Sequence, residues 1–147
     1  LERPLPPTVH GDGDHGFVAR LVGMARKHGA SGYIRDGANR WPAVHRLDAA
    51  RLFRLAVEGA PTGSVLHGVA EEGVPTRAIA EAIGRGLGQP AVSMAPAPAE
   101  EHFGWLALLF GLDMQASSTR TQELLGWQPT HQGLIADLDE GHYFSRS

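Results

Sequence analysis

The chain has 147 residues, 42% hydrophobic and 20% charged, an ordinary globular composition that excludes the disordered and fibrous classes. With 13 basic against 16 acidic residues the net charge is −3, so there is no basic field for gripping nucleic acid or an anionic membrane. Having no cysteine, it can build no disulfide, thiolate metal centre or cysteine nucleophile, and a reducing, cytoplasmic compartment is the expectation. No apolar run approaches the roughly 18 residues of a membrane span. Lys27 is the only lysine, and no Gly-Lys-Ser/Thr of a P-loop occurs. A chain of this length buries about 68 to 70% of its unfolded surface, enough for a single domain over residues 1–147.

In chain order, Leu5 to His10 reads as a short strand entered through Pro6 and Pro7, which belong at a strand's start or edge. Phe17 to His28 reads as a helix with Phe17, Leu21, Met24 and Ala25 on one face and Gly29 as its stop. Ser31 to Arg35 is a second short strand, and the turn-rich Asp36-Gly37-Ala38-Asn39 leads to an apolar bend at Trp41-Pro42-Ala43-Val44. Asp48 is placed as the N-cap of a helix whose apolar stripe is Ala49, Leu52, Phe53, Ala56 and Val57, ended by Gly59. Ser64 to Ala70 reads as a strand and Glu71-Glu72-Gly73 as a turn. A helix from Thr76 follows, with Ile79, Ala80, Ile83 and Leu87 together and Gly88 as its stop. Ala91 to Met94 is a strand, and Pro96-Ala97-Pro98 opens an apolar helix through Phe103, Leu106, Ala107 and Phe110. Ser118 to Leu125 and Gly133 to Phe144, separated by Trp127-Gln128-Pro129, bring the count to about six helices.

Gly11-Asp12-Gly13-Asp14-His15-Gly16 is a literal G-x-G-x-x-G between a strand and a helix, with Asp36 placed 25 residues after Gly11. Its spacing is that of a dinucleotide fingerprint, yet Asp12 and Asp14 set like charge beside the pyrophosphate, and prolines head a strand that should be central. His10, Asp12, Asp14 and His15 carry atoms suited to zinc or manganese, but without a long-range histidine pair the stretch reads as a solvated loop with one helix-capping aspartate. His28, His67, His102, His131 and His142 are scattered and read as surface or hydrogen-bonded core residues. No G-x-S-x-G elbow is present, and Glu71-Glu72, Glu100-Glu101 and Asp139-Glu140 fall at turns or helix ends, where solvation accounts for them.

Four stretches, taken together in this order, resemble a known family. Pro6-Pro7-Thr8-Val9-His10-Gly11 is similar to the R-P-P-x-V-Y-G strand and loop of the extended short-chain dehydrogenases, the NAD(P)-dependent sugar epimerases and dehydratases. Trp41-Pro42-Ala43-Val44-His45-Arg46-Leu47-Asp48-Ala49-Ala50 resembles that family's V-H-V-D-D-V-A segment. Ser64 to Leu87 and Leu125-Gly126-Trp127-Gln128-Pro129 resemble its late strand, helix and L-G-W-x-P element. The family's arginine before Pro-Pro is Leu5 here.

The resemblance implies an α/β, partial Rossmann-like chain equivalent to the family's C-terminal, substrate-side half. The catalytic Tyr-x-x-x-Lys is absent, because Tyr33 is followed four residues on by Gly37 and Tyr143 by Ser147, while Lys27 is preceded at that distance by Gly23. A chain inactive by itself is therefore expected, NAD(P) being the cofactor of the intact family and none being expected on this chain alone. By resemblance Pro7, Thr8 and Val9 border the nicotinamide, and Thr8, His10, Arg40, Trp41 and His45 the substrate. Arg40 is the strongest of these, since a guanidinium beside an aromatic suits an anionic group. Trp41 has the alternative role of a core anchor.

Two alternatives stand beside this reading. One is a complete small nucleotide-binding domain using Gly11, Gly13 and Gly16. The other is a self-associating module, engineered or library-derived, since Leu1-Glu2 and Arg146-Ser147 coincide with translated restriction sites. The expected partner is a second copy, most simply in a dimer, or a separate N-terminal dinucleotide-binding half.

Overall fold

A computed structural model describes residues 7–145. The elements run β1 (Thr8–His10), α1 (Phe17–His28), β2 (Ser31–Ile34), β3 (Arg40–His45), α2 (Arg46–Gly59), β4 (Glu71–Pro75), α3 (Thr76–Leu87), β5 (Ala91–Met94), α4 (Pro96–Phe103), α5 (Leu106–Phe110), α6 (Thr119–Leu125) and α7 (Leu134–Asp139). The Leu5–Pro6 part of the expected first strand lies outside the described residues, as do Leu1-Glu2 and Arg146-Ser147. Among the described residues no helix is long and apolar enough to cross a membrane.

Two small sheets organise the chain. In the first, β1 lies parallel to β3, pairing Thr8 with Ala43, Val9 with Val44 and His10 with His45, and β3 pairs antiparallel with β4. The second is the parallel pair β2 and β5. Among the described residues the outer edge of β1 pairs with no strand. The main core gathers Val18, Leu21, Ile79, Ile83, Phe103, Leu106, Phe110, Leu134 and Leu138 from α1, α3, α4, α5 and α7. A smaller cluster of Val44, Leu52 and Trp127 lies under α2.

Periodicity and glycine stops account for the long helices. Val18, Leu21, Val22 and Ala25 of α1 are buried, and Gly29 at φ 71° turns its N–H back to the Ala25 carbonyl. Gly88 ends α3 in the same way, at φ 67°. Gly37 is required for a different reason. At φ +65°, a Cβ there would lie 2.5 Å from Arg77 Cβ, so only glycine lets the turn touch the start of α3.

Several expectations are corrected. Trp41-Pro42-Ala43-Val44 is not a bend but the body of β3, and the ladder to β4 shifts register between Trp41 and Ala43, which is where Pro42 has no N–H to offer. Ser64 to Ala70 forms no strand. Its backbone is held instead by side chains, the His67 N–H donating to Thr121 Oγ1 and Ser118 Oγ donating to the Val69 carbonyl. The strand is the expected turn, Glu71–Pro75, led in by the Ala70 N–H donating to the Ala43 carbonyl. Gly104, at φ 60° and ψ −134°, breaks the apolar helix into α4 and α5, making seven helices among the described residues. The last helix stops at Asp139 because residues 140–144 turn through Gly141 at φ 90°.

Candidate functional site

Parallel pairing sets His10 and His45 side by side at the C-terminal ends of β1 and β3. Their rings meet edge to face, 5.4 Å between centroids. His10 is fully buried, and its Nδ1 donates to Asp137 Oδ2 of α7 at 2.7 Å. The other oxygen of Asp137 accepts from His142 Nε2 at 2.7 Å and from Gln132 Nε2 at 3.0 Å. Burial alone would raise the Asp137 carboxyl, but the hydrogen bonds from His10 and His142 outweigh it and hold it below the usual carboxylate range.

On the other side His45 stacks on His131, 4.8 Å apart at 14°. His131 Nδ1 donates to Asp48 Oδ1 at 2.9 Å, and the Asp48 carboxylate also accepts the backbone N–H groups of Thr130 and His131 at 3.0 and 2.9 Å. These bonds again overcome a burial that would raise its carboxyl, which ends up lowered. Asp48 is thus not the cap of α2, a correction to the sequence reading. The cap is His45, whose Nδ1 accepts the Leu47 N–H at 3.2 Å, leaving Asp48 to turn inward and fasten the loop that precedes α7. Burial, and then His10, lower the imidazole of His45. The result is a continuous polar row, Asp48, His131, His45, His10, Asp137 and His142, drawn from β1, β3, α2, α7 and two loops.

The glycine loop is occupied by the chain itself. The Gly11 N–H donates to the Tyr143 hydroxyl at 3.0 Å, Tyr143 donates to Asp14 Oδ2 at 2.8 Å, and Asp14 Oδ1 accepts the Gly16 N–H at 2.6 Å. Burial pushes the Tyr143 hydroxyl far above the ordinary phenol range, so it is no acid or base near neutrality. Since β1 and β2 belong to different sheets, β1, α1 and β2 do not form the paired βαβ unit that a dinucleotide fingerprint requires. Asp137, Glu140 and His142 place ligand atoms within 4.8 Å of one another, but the Asp137 carboxylate is already filled by three donors, and that arrangement does not suit a cation.

Of the residues singled out from the sequence, the structure brings His10 and His45 together. Thr8 is buried on the same face of β1, while Pro7 and exposed Val9 border an open apolar cleft of about 1120 Å³ with Val44, Leu52, Phe53 and Met114. Arg40 and Trp41 stand at the other end of β3, about 15 Å away at roughly 3.3 Å per residue. Arg40 is exposed in a strand rather than in a loop. Its N–H donates to Asp113 Oδ1 at 2.8 Å and its carbonyl accepts from Met114 at 2.7 Å. Trp41 is buried, stacked face to face on Phe17 at 4.6 Å. Asp137, His131 and His142 were not singled out as site residues. No local pattern marks them, because their partners lie as many as 127 residues away.

No known family profile matches the chain. It is 51% identical over 140 residues to an uncharacterized protein of Schizosaccharomyces pombe, covering 95% of this chain and 48% of that protein. An uncharacterized protein of Saccharomyces cerevisiae is 47% identical over 134 residues, covering 91% of this chain and 45% of its own length. The chain therefore spans about half the length of the curated relatives it matches. Among solved structures it is similar to human epimerase family protein SDR39U1 with NADPH, at TM-score 0.69 and 24% identity, over 95% of this chain and 47% of that one. DesIV, a dTDP-glucose 4,6-dehydratase of Streptomyces venezuelae with NAD bound, gives TM-score 0.67 and 18% identity, over 92% and 40% of the two chains. UDP-glucuronic acid 4-epimerase of Bacillus cereus gives 0.64 and 17%, over 93% and 42%. At these identities the likeness is one of fold: an α/β chain similar to part of the Rossmann-like epimerases and dehydratases.

Proposed function

We propose that the chain is the substrate-side portion of an NAD(P)-dependent oxidoreductase or epimerase and is catalytically silent by itself. The observation that carries this reading is the likeness over 92 to 95% of this chain to epimerases and dehydratases of which it spans 40 to 47%. Three further features support it. Neither tyrosine has the Lys partner, and Tyr143 is locked between Gly11 and Asp14. Among the described residues β1 offers an unpaired edge. The amides of Gly11 and Gly16 are already taken, which weighs against a self-contained nucleotide site on that loop.

In this reading Pro7, Thr8 and Val9 border the nicotinamide, His10 and His45 close the substrate side at the strand ends, and Arg40 meets an anionic group such as a nucleotide-sugar phosphate. Trp41 acts from beneath, fixing β3 against Phe17. The purified chain is expected to show no NAD(P)-dependent turnover of nucleotide sugars. Cofactor-dependent turnover abolished by Tyr33→Phe or Tyr143→Phe would overturn the proposal.

Arg40→Ala leaves both backbone bonds of Arg40 intact, so its effect on thermal stability should stay within about 0.5 kcal/mol. A loss of several kcal/mol would identify a structural partner for the guanidinium instead of a ligand.

The remaining surface points to association. Phe53 of α2 is 73% exposed beside the cleft, which Val65 and Val9 also line, and Val57, four residues on along α2, is 89% exposed. Together with the open β1 edge this favours burial against another polypeptide, either a dinucleotide-binding half or a second copy. Light scattering over a dilution series should report a dimer that dissociates on dilution, whereas a monomer at all concentrations would show that the face tolerates water.

A further inference from the structure

Among the four histidines of the polar row, His45 differs in the direction of its hydrogen bond. His10, His131 and His142 each present a ring nitrogen to an aspartate oxygen, and with the carboxylates ionised each of those nitrogens donates. His45 Nδ1 instead accepts the Leu47 N–H. That nitrogen must therefore be unprotonated, which places the ring's single proton on Nε2. A helix cap normally comes from a hydroxyl or carboxylate oxygen, which remains an acceptor at all physiological pH. A capping imidazole loses its acceptor the moment it binds a proton, and the new charge then sits at the positive end of the helix dipole.

We propose that His45 is an acid-sensitive latch: neutral, it caps α2 and carries the stacked His131 loop; protonated, it releases both from the ends of β1 and β3.

The neighbourhood supports this direction. His10 faces the ring from β1, and His131 from the loop before α7. Both oppose a proton on His45. Asp48 faces it from α2, with Arg51 Nη2 lying 3.7 Å from Asp48 Oδ1, while Asp137 of α7, with His142 beyond it, lies behind His10. Arg46, the next residue, runs against Gly11. The two aspartates pull the proton on and the histidines push it off, but both carboxylates are occupied by other donors, and burial adds to the repulsion.

The sign follows directly. His45 titrates below 6.5 when folded, so the unfolded chain takes up its proton first. The latch contributes fully above that value and is lost as the pH falls below it. What loosens is the fastening of Thr130 and His131, through Asp48 in the first turn of α2, to the strand ends that carry His10 and His45.

The test is thermal unfolding of the full chain at intervals between pH 7.5 and 5.0, for the wild type and for His45→Asn, whose amide oxygen caps without titrating. The wild-type midpoint should fall steadily below pH 6.5, and His45→Asn should fall less steeply, keeping the share that buried His102 contributes in the same window, while matching the wild type at pH 7.5. A variant that keeps the wild-type slope overturns the proposal. If the variant does not fold, nitrogen NMR of the wild-type imidazoles decides instead. His45 Nδ1 should be unprotonated at pH 7.5, with the hydrogen-exchange protection of the Leu47 amide falling by about tenfold at pH 5.5. A proton on Nδ1 at pH 7.5, or unchanged Leu47 protection, overturns it.

Discussion

Asp137→Ala is expected to destabilise the chain by about 3 to 5 kcal/mol, the scale of losing several hydrogen bonds to one buried carboxylate and leaving a buried donor unmet. The carboxylate is 1% exposed and serves His10, His142 and Gln132 at once. Alanine strands His10 Nδ1 in a site with no exposure, and α7 loses its polar tie to β1. Urea denaturation at pH 7 measures the loss directly. The same carboxyl gives an acid limb. Its folded-state value lies below the ordinary 3.8, so its contribution is complete above that value and disappears as the pH falls beneath it. The wild type should show this limb, and Asp137→Ala should have lost most of it. A change under about 1 kcal/mol would mean that the row is ornamental.

Trp127→Ala should cost a similar amount, about 3 to 5 kcal/mol, by a different route. The indole is the largest fully buried side chain, packed with Val44 and Leu52, and its Nε1 donates to the Asp48 carbonyl at 2.9 Å. Truncation opens a cavity beneath α2 and frees one end of the segment that Asp48 fastens at the other. Trp127→Phe keeps most of the volume and loses the hydrogen bond, so about 1 to 2 kcal/mol is expected. Thermal midpoints of the two variants separate packing from the bond. If Trp127→Phe were as damaging as Trp127→Ala, the hydrogen bond would be the dominant element.

The parts of this fold that repeat locally were legible. The apolar stripes of α1 and α3 and the glycines after them carry their own physics within a dozen residues, whereas of the stripe expected on α2 only Leu52 is buried and Phe53 and Val57 face solvent. β3 was not legible, since Trp41-Pro42 has the chemistry of a bend and becomes a strand only because β1 and β4 flank it. Ser64 to Ala70 failed for the converse reason. Its composition suits a strand, but among the described residues no strand pairs with it, and side chains near α6 hold its backbone. At the site, His10 and His45 were singled out and do meet. Asp48 was noticed for its position and misread in its role, because whether a carboxylate turns outward to a helix start or inward to a loop 82 residues away is decided by tertiary packing.

The seat of β1 also has a bearing on the order of assembly. His10 closes on Asp137, and the Gly11 and Asp14 loop closes on Tyr143, over separations of 127 to 132 residues. β1 can be paired by β3 as soon as Arg40–His45 has been made, but its polar contacts wait for Asp137 of α7 and for Tyr143. Folding of this chain is therefore governed by contacts of long sequence separation, with the loop-closure entropy that slows such topologies. A ribosome pausing before α7 would hold a chain in which α1 to α6 can form while β1 still lacks the clasp that Asp137 and Tyr143 supply.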